Sequence, residues 1–301
     1  MEVTQGLGVS LTLVSALGVA VGSLCIRLGT ESGEVKDAVF ITSLVNTVAL
    51  FPLIVAVYHP EYGITLISML AFATAGVTGT ILVRIMRYMS IMRIGASRTE
   101  SIVAAWVIVA TVLGVVLLGE TLVPVHVVGI LLIVSGVALV ARETSRDNPQ
   151  NLSRRELLLG LLISVSAAVV LGWEPIFANF GLAEGTPAPV GLLIKSITAV
   201  LGLTLYLRWR GALPTHTTLR TASSRWFFLA GIASTVSMLS YYVALDLAPV
   251  NVVAPIFATN ILLIVLLSSL FMPKQLENVT WKLVTAAAVV VCGVCIVSVV
   301  G

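Results

Sequence analysis

Tyr88-Met-Ser-Ile-Met-Arg93-Ile-Gly95-Ala-Ser97 closes one long apolar stretch and opens the next, and Tyr242-Val-Ala-Leu-Asp-Leu-Ala-Pro249-Val-Asn251 does the same in the second half of the chain. Laid on each other from Tyr88 and Tyr242, the two halves bring Gly95 onto Pro249, Ser97 onto Asn251 and Glu120 onto Lys274. After a three-residue insertion, Ser135-Gly-Val falls on Cys292-Gly-Val. Identities are few, but the order of parts is shared: an apolar helix ending in Tyr, a polar break, a second apolar helix, a charged turn and a final Gly-containing apolar helix. The chain therefore reads as two copies of one unit. If each copy crosses a membrane an odd number of times, the second enters from the opposite face, and the result is an inverted repeat.

Composition supports that reading. Hydrophobic residues make up 58% of the 301, charged residues 10%, and mean hydropathy is +1.08, whereas soluble domains run near about 45–50% apolar and about 25% charged. A span needs about 20 mostly apolar residues. Ten stretches qualify, near 7–28, 38–58, 64–92, 97–118, 123–141, 156–181, 188–208, 226–247, 250–271 and 280–300. The expected fold is all-α integral membrane, with ten transmembrane helices as two inverted five-helix repeats. The first repeat covers 7–141, a basic connecting loop 142–155, and the second repeat 156–300. The first stretch follows Met1-Glu-Val-Thr-Gln, which has no basic residue, so it reads as mature structure and not as a secretory signal.

Basic residues alternate between connections. Arg27 and Lys36 flank the first, Arg93 and Arg98 the third, Arg142, Arg146, Arg154 and Arg155 the fifth, Arg208, Arg210, Arg220 and Arg225 the seventh, and Lys274 and Lys282 the ninth. Of the 17 Lys and Arg, only Arg84, Arg87 and Lys195 remain, and they lie within spans. By the positive-inside rule the odd connections face the cytoplasm, leaving both termini outside.

At the turn between the fourth and fifth stretches the chain reads Val115-Val-Leu-Leu-Gly-Glu120-Thr-Leu, then Gly129-Ile-Leu-Leu-Ile-Val-Ser-Gly136-Val-Ala-Leu-Val. The second half repeats this loosely, with Ala248-Pro-Val-Asn-Val-Val-Ala-Pro255-Ile-Phe, then Pro273-Lys274, then Cys292-Gly-Val-Cys-Ile-Val. These segments resemble the drug/metabolite transporter superfamily, and within it the ten-helix EamA-type exporters. The resemblance implies a multi-pass cell-membrane protein that carries a small organic molecule by alternating access, with cytoplasmic termini, the reverse of the charge bias. In the superfamily's small four-helix relatives a first-helix glutamate couples protons to export. This chain departs from that pattern, since Glu174 aligns with Leu24 of its first stretch.

Charges inside a bilayer are costly, so those that remain usually face a cavity or a partner. Glu174, in Gly172-Trp-Glu-Pro-Ile-Phe, lies about seven residues, roughly 10 Å, from the end of the sixth stretch. Lys195 lies at similar depth in the seventh, so the two can pair. Glu174 reads as a proton-coupling or cation-binding carboxylate, or as half of a structural ion pair. Pro175 frees the carbonyl of Leu171 and kinks the span. Trp173 offers either a stacking surface for a ring-bearing substrate or a helix contact. Arg84 and Arg87, one turn apart on one side of the third stretch, could clamp an anion or snorkel to headgroups, with snorkelling the expectation for Arg87. Asn46 and Asn260 are mid-span amides suited to substrate or to a neighbouring helix. Pro255 is expected at a helix break, and Glu100 is expected to be satisfied by Arg93 or Arg98.

The chain lacks the clustered acids, His or Ser that an intramembrane enzyme needs, and no enzyme activity is expected. Neither is a cofactor or nucleic-acid partner. His59, His126 and His216 are scattered, so no metal site is expected. Cys25, Cys292 and Cys295 read as packing groups. The expected partners are the lipid bilayer, a small-molecule substrate and a coupling proton or ion. A homodimer is left open. The alternative reading is a channel or a non-transporting membrane scaffold.

Overall fold

The computed structural model describes residues 2–118, 124–146, 153–211, 221–247, 253, 256–257, 259–273 and 278–300. Glu120, His216, Pro249, Asn251, Pro255 and Lys274, named above, lie outside them. All regular structure among the described residues is helical. The helices are α1 (Glu2–Gly29), α2 (Val35–Tyr58), α3 (Leu66–Ala75), α4 (Val83–Ile94), α5 (Ala96–Val103), α6 (Trp106–Leu113), α7 (Pro124–Arg146), α8 (Arg154–Gly172), α9 (Glu174–Ala183), α10 (Ala188–Trp209), α11 (Ala222–Leu247), α12 (Asn260–Phe271) and α13 (Trp281–Val300).

Six helical runs are long and apolar enough to cross a membrane: Gly6–Gly29, Val35–Tyr58, Leu66–Ile94, Ala96–Leu117, Arg154–Ala183 and Ala188–Trp209. Shorter apolar helices follow at Val127–Val140, Asn260–Phe271 and Trp281–Ile296. Large apolar side chains point outward, among them Leu66, Val116, Leu205 and Leu270. Water would penalise that surface; hydrocarbon does not, and helices satisfy their own backbone there. The protein is a multi-pass membrane protein.

Small residues set the helix crossings, as expected where lipid supplies no hydrophobic force between helices. Gly18 of α1 lies directly on Ala233 O and Ser237 of α11, and Ser15 Oγ donates to Ser237 O at 2.8 Å. Gly136 of α7 takes Val290 of α13, and Gly293 of α13 takes Ile133 and the Gly129 carbonyl of α7. Cys292 and Cys295, on the same helix as Gly293, are not joined in a disulfide.

Three runs are not simple helices. The third passes through a π-helical segment, Gly76–Leu82, between α3 and α4. The fourth is interrupted between α5 and α6 at Ala104 and Ala105. The fifth, Arg154–Ala183, breaks at Trp173, between α8 and α9. There the sequence expectation of a kink is surpassed. Pro175 has no N–H for the Leu171 carbonyl, and the helix restarts with Pro in its first turn, where that loss is harmless. Between α4 and α5 the chain reverses on Gly95 alone, at φ 92°, a conformation that favours glycine.

Two basic residues assigned to connections are buried instead. Arg27 and Arg98 are each 2% exposed. Arg27 Nη1 donates to Met92 O at 2.8 Å, in the last turn of α4, and Arg98 Nη2 donates to Asn278 O at 3.0 Å, ahead of α13. Arg98 Nη1 also donates to Ile94 O at 3.5 Å, so both guanidinium groups bind carbonyls at the C-terminus of α4, where a cation is favoured.

Candidate functional site

The break at Trp173 exists because two local features coincide. Gly172 has no side chain to hold it off α6, and a Cβ there would meet Val109 and the Trp106 carbonyl. One residue later α9 begins at Glu174, so a carboxylate stands at a helix N-terminus, the end whose free N–H groups favour negative charge. Trp173 is 39% exposed, and its ring stacks on Phe177 at 6.1 Å between centroids.

From α10, Lys195 reaches Glu174: Nζ donates to Oε1 in an ion pair within the bundle. The pair rests on the π-helical segment. A Cβ at Gly79 would fall on the Glu174 carboxylate, and one at Gly76 would lie 2.8 Å from the Lys195 carbonyl oxygen. Two glycines one turn apart thus let the third run close on both members of the pair. π-Helical turns are rare and frequent at functional sites.

Further along the same run, Arg84 is buried where α2, α4 and α11 meet. Nη1 donates to Ser43 Oγ at 3.1 Å and to Thr42 Oγ1 at 3.5 Å. Asn46, fully buried, is best satisfied with its amide oxygen accepting from Arg84 Nη2 at 2.7 Å and its nitrogen donating to Thr42 O at 3.1 Å and Gly231 O at 3.0 Å. Asn46 therefore ties the arginine to α11. Asn260 is half-buried in the first turn of α12.

Arg87 does not snorkel. Its Nη2 donates to Glu100 Oε1 at 2.5 Å, and Ser23 Oγ of α1 donates to the same oxygen at 3.0 Å. This also corrects the expectation that Arg93 or Arg98 would satisfy Glu100. Arg93 Nη1 instead donates to its own helix at Met89 O, 3.1 Å away. With Glu100 only 7% exposed, removing its charge leaves a largely buried guanidinium without its counter-charge. Glu100→Gln is expected to lower stability by about 3–5 kcal/mol, and a Glu100→Leu/Arg87→Met pair to recover most of that loss. Thermal melts of the purified variants in one detergent read both outcomes.

The site thus gathers Glu174, Lys195, Arg84, Asn46 and the missed pair Arg87 and Glu100 around one helical run. Trp173 stands at its rim. Among the described residues no group of His, Cys, Asp and Glu could hold a metal ion.

Comparison with known proteins agrees with the architecture. The sequence profile of the EamA-like transporter family matches residues 6–142. Over those residues the chain is similar to the EamA-like transporter family. The resemblance drawn from Gly119-Glu120 and the Gly129–Gly136 helix is borne out by that match. A solved structure titled "Crystal structure of protein" shares the fold, with a TM-score of 0.64 at 13% identity over 97% of each chain. No curated protein matches the EamA-like chain in sequence.

Proposed function

We propose that this EamA-like protein is a secondary transporter of the cell membrane that moves a small organic metabolite outward by alternating access. Its ten spans are the six long runs together with α7, α11, α12 and α13, and they form two inverted five-helix repeats, 7–141 and 156–300, joined by the basic connection 142–155.

The observation that carries this reading is that the helix contacts come in exchanged pairs. Under the repeat, α1 corresponds to α8 and α9, α2 to α10, α3 and α4 to α11, α5 and α6 to α12, and α7 to α13. The packing of α1 on α11 is matched by that of α8 and α9 on α4 and α3. The contact of α1 with α12 is matched by α8 with α6, and that of α2 with α11 by α10 with α3 and the π-helical segment. Two contacts, α2 with α10 and α7 with α13, map onto themselves. A two-fold relation between the halves produces that pattern and independent helices do not. The register also agrees: the offset that brings Tyr88 onto Tyr242 brings Ala105, at the break of the fourth run, onto Thr259, which caps α12.

Inverted repeats place substrate and ion sites at the repeat interface near the midplane, often at discontinuous helices. The break before Glu174 and the π-helical segment facing it fit that description, and neither has a counterpart in α1 or α11, which run unbroken. Glu174 is the coupling group in this reading, with Lys195 as its counter-charge. The test is flux in proteoliposomes against a metabolite panel, with and without a pH gradient, in wild type and Glu174→Gln. Flux is expected to saturate, to respond to solute on the far side, and to lose its gradient dependence in the variant. Non-saturating flux indicates a channel, and absence of flux a scaffold. Unchanged gradient dependence in Glu174→Gln removes that residue from coupling.

A further inference from the structure

We propose that Arg84 is the recognition group for the carboxylate of an organic acid carrying one net negative charge. The inference rests on the transporter reading and names its substrate class.

Charge balance is the first argument. Three bases and two acids meet along the part of the third helical run that ends at Arg87, while Arg93 and Arg27 bind carbonyls beyond it, at Met89 and Met92. Lys195 pairs with Glu174, and Arg87 with Glu100. Arg84 is the third base, 7% exposed. Among the described residues its hydrogen-bond partners are neutral: the hydroxyls of Ser43 and Thr42 and the Asn46 amide. Glu174 lies within electrostatic reach of both arginines, but its contact goes to Lys195. An unbalanced cation inside a membrane protein is costly and marks a place for a partner. One monoanion balances the cluster. A cation would add to the surplus, and a dianion would reverse it.

Donor geometry is the second argument. A guanidinium carries five N–H groups in a rigid fork, and Ser43, Thr42 and Asn46 occupy three. Two remain, the number a carboxylate takes in bidentate fashion. One turn along the same face, Arg87 Nε is buried with no acceptor among the described residues.

Position is the third. The repeat maps Arg84 onto Met238 of α11, and Asn46 reaches both helices, accepting from Arg84 Nη2 and donating to Gly231 O. Arg84 is therefore linked, through Asn46 of α2, to the helix that corresponds to its own in the other half. Only one of the two copies carries a charge there, so the site accepts one carboxylate and leaves the other side apolar for the remainder of the solute.

The test uses detergent-purified protein titrated with butyrate, butyramide and butylamine, and with phenylacetate, phenylacetamide and phenethylamine, while Tm is read. Only the two acids are expected to raise Tm. Arg84→Gln should weaken their half-saturation about tenfold or more, and Arg84→Lys, which keeps the charge without the fork, should bind more weakly yet still prefer acid over amide. The proposal is overturned if amides or amines stabilise as well as acids, if acids leave wild type unmoved, or if Arg84→Gln binds acids as wild type does. Should Arg84→Gln not fold, the acid preference of Arg84→Lys against wild type decides. Failure of the transporter reading looks different. Arg84-dependent acid binding without flux in proteoliposomes sinks transport and leaves the site, whereas saturable flux confined to amines sinks the site and leaves transport.

Discussion

Lys195→Met is expected to melt roughly 10 °C below wild type, because breaking a buried ion pair costs about 3–5 kcal/mol. The loss comes from Glu174, whose carboxylate is left inside the bundle without its ammonium. A Glu174→Leu/Lys195→Met double variant removes both charges, and paired replacement of buried ions by apolar groups is often neutral or stabilising, so its Tm should return close to wild type. Transport separates the two meanings of the pair. If Glu174 and Lys195 only fasten α9 to α10, the double variant transports as well as wild type. In the reading proposed above it folds and carries no gradient-dependent flux. Melts of all three proteins beside their proteoliposome fluxes decide the matter, and a double variant with wild-type flux would falsify the coupling role.

The parts that the sequence made legible were those governed by composition and spacing. Membrane insertion followed from long apolar stretches, and the Glu174–Lys195 contact from two rare charges at equal depth in consecutive spans. The turn motif around Glu120 pointed to the family whose profile matches 6–142, although Gly119 and Glu120 themselves lie outside the described residues. What stayed hidden depended on how the chain reverses. Arg87 and Glu100 lie on opposite sides of Gly95, and a one-residue reversal at φ 92° folds them together. Read linearly, Glu100 stood next to Arg98 and looked like an interfacial acid. The signal that could have found the pair was the short spacing of a base and an acid about a single glycine. Arg27 and Arg98 were misplaced for a related reason. A positive charge beside a loop looks solvated in sequence, yet helix ends inside the bundle offer carbonyls that a long guanidinium can reach.

The π-helical segment had no signature at all. Gly76-Val-Thr-Gly-Thr reads as ordinary small-residue packing, and its meaning emerges only from what each glycine faces. That difference gives a paired expectation. A Cβ at Gly76 meets backbone, lying 2.8 Å from Lys195 O and 3.1 Å from its Cα, so α10 itself must move away. Overpacking of this kind costs about 1–3 kcal/mol, and Gly76→Ala should show a lower Tm. A Cβ at Gly79 meets only the end of the Glu174 side chain. Glu174 and Lys195 both end on flexible stems, so the pair can shift together at little cost, and Gly79→Ala should keep a Tm near wild type. Its flux is another matter. The carboxylate is displaced from the face of the third run together with its ammonium, and a coupling group held out of place costs about tenfold or more in rate. Gly79→Ala should therefore transport about tenfold more slowly at sub-saturating solute while melting normally, and Gly76→Ala should melt early. Both substitutions add one methyl group to the same helical segment, so a shared stability loss with no separate effect on flux would mean that the segment is packing and nothing more.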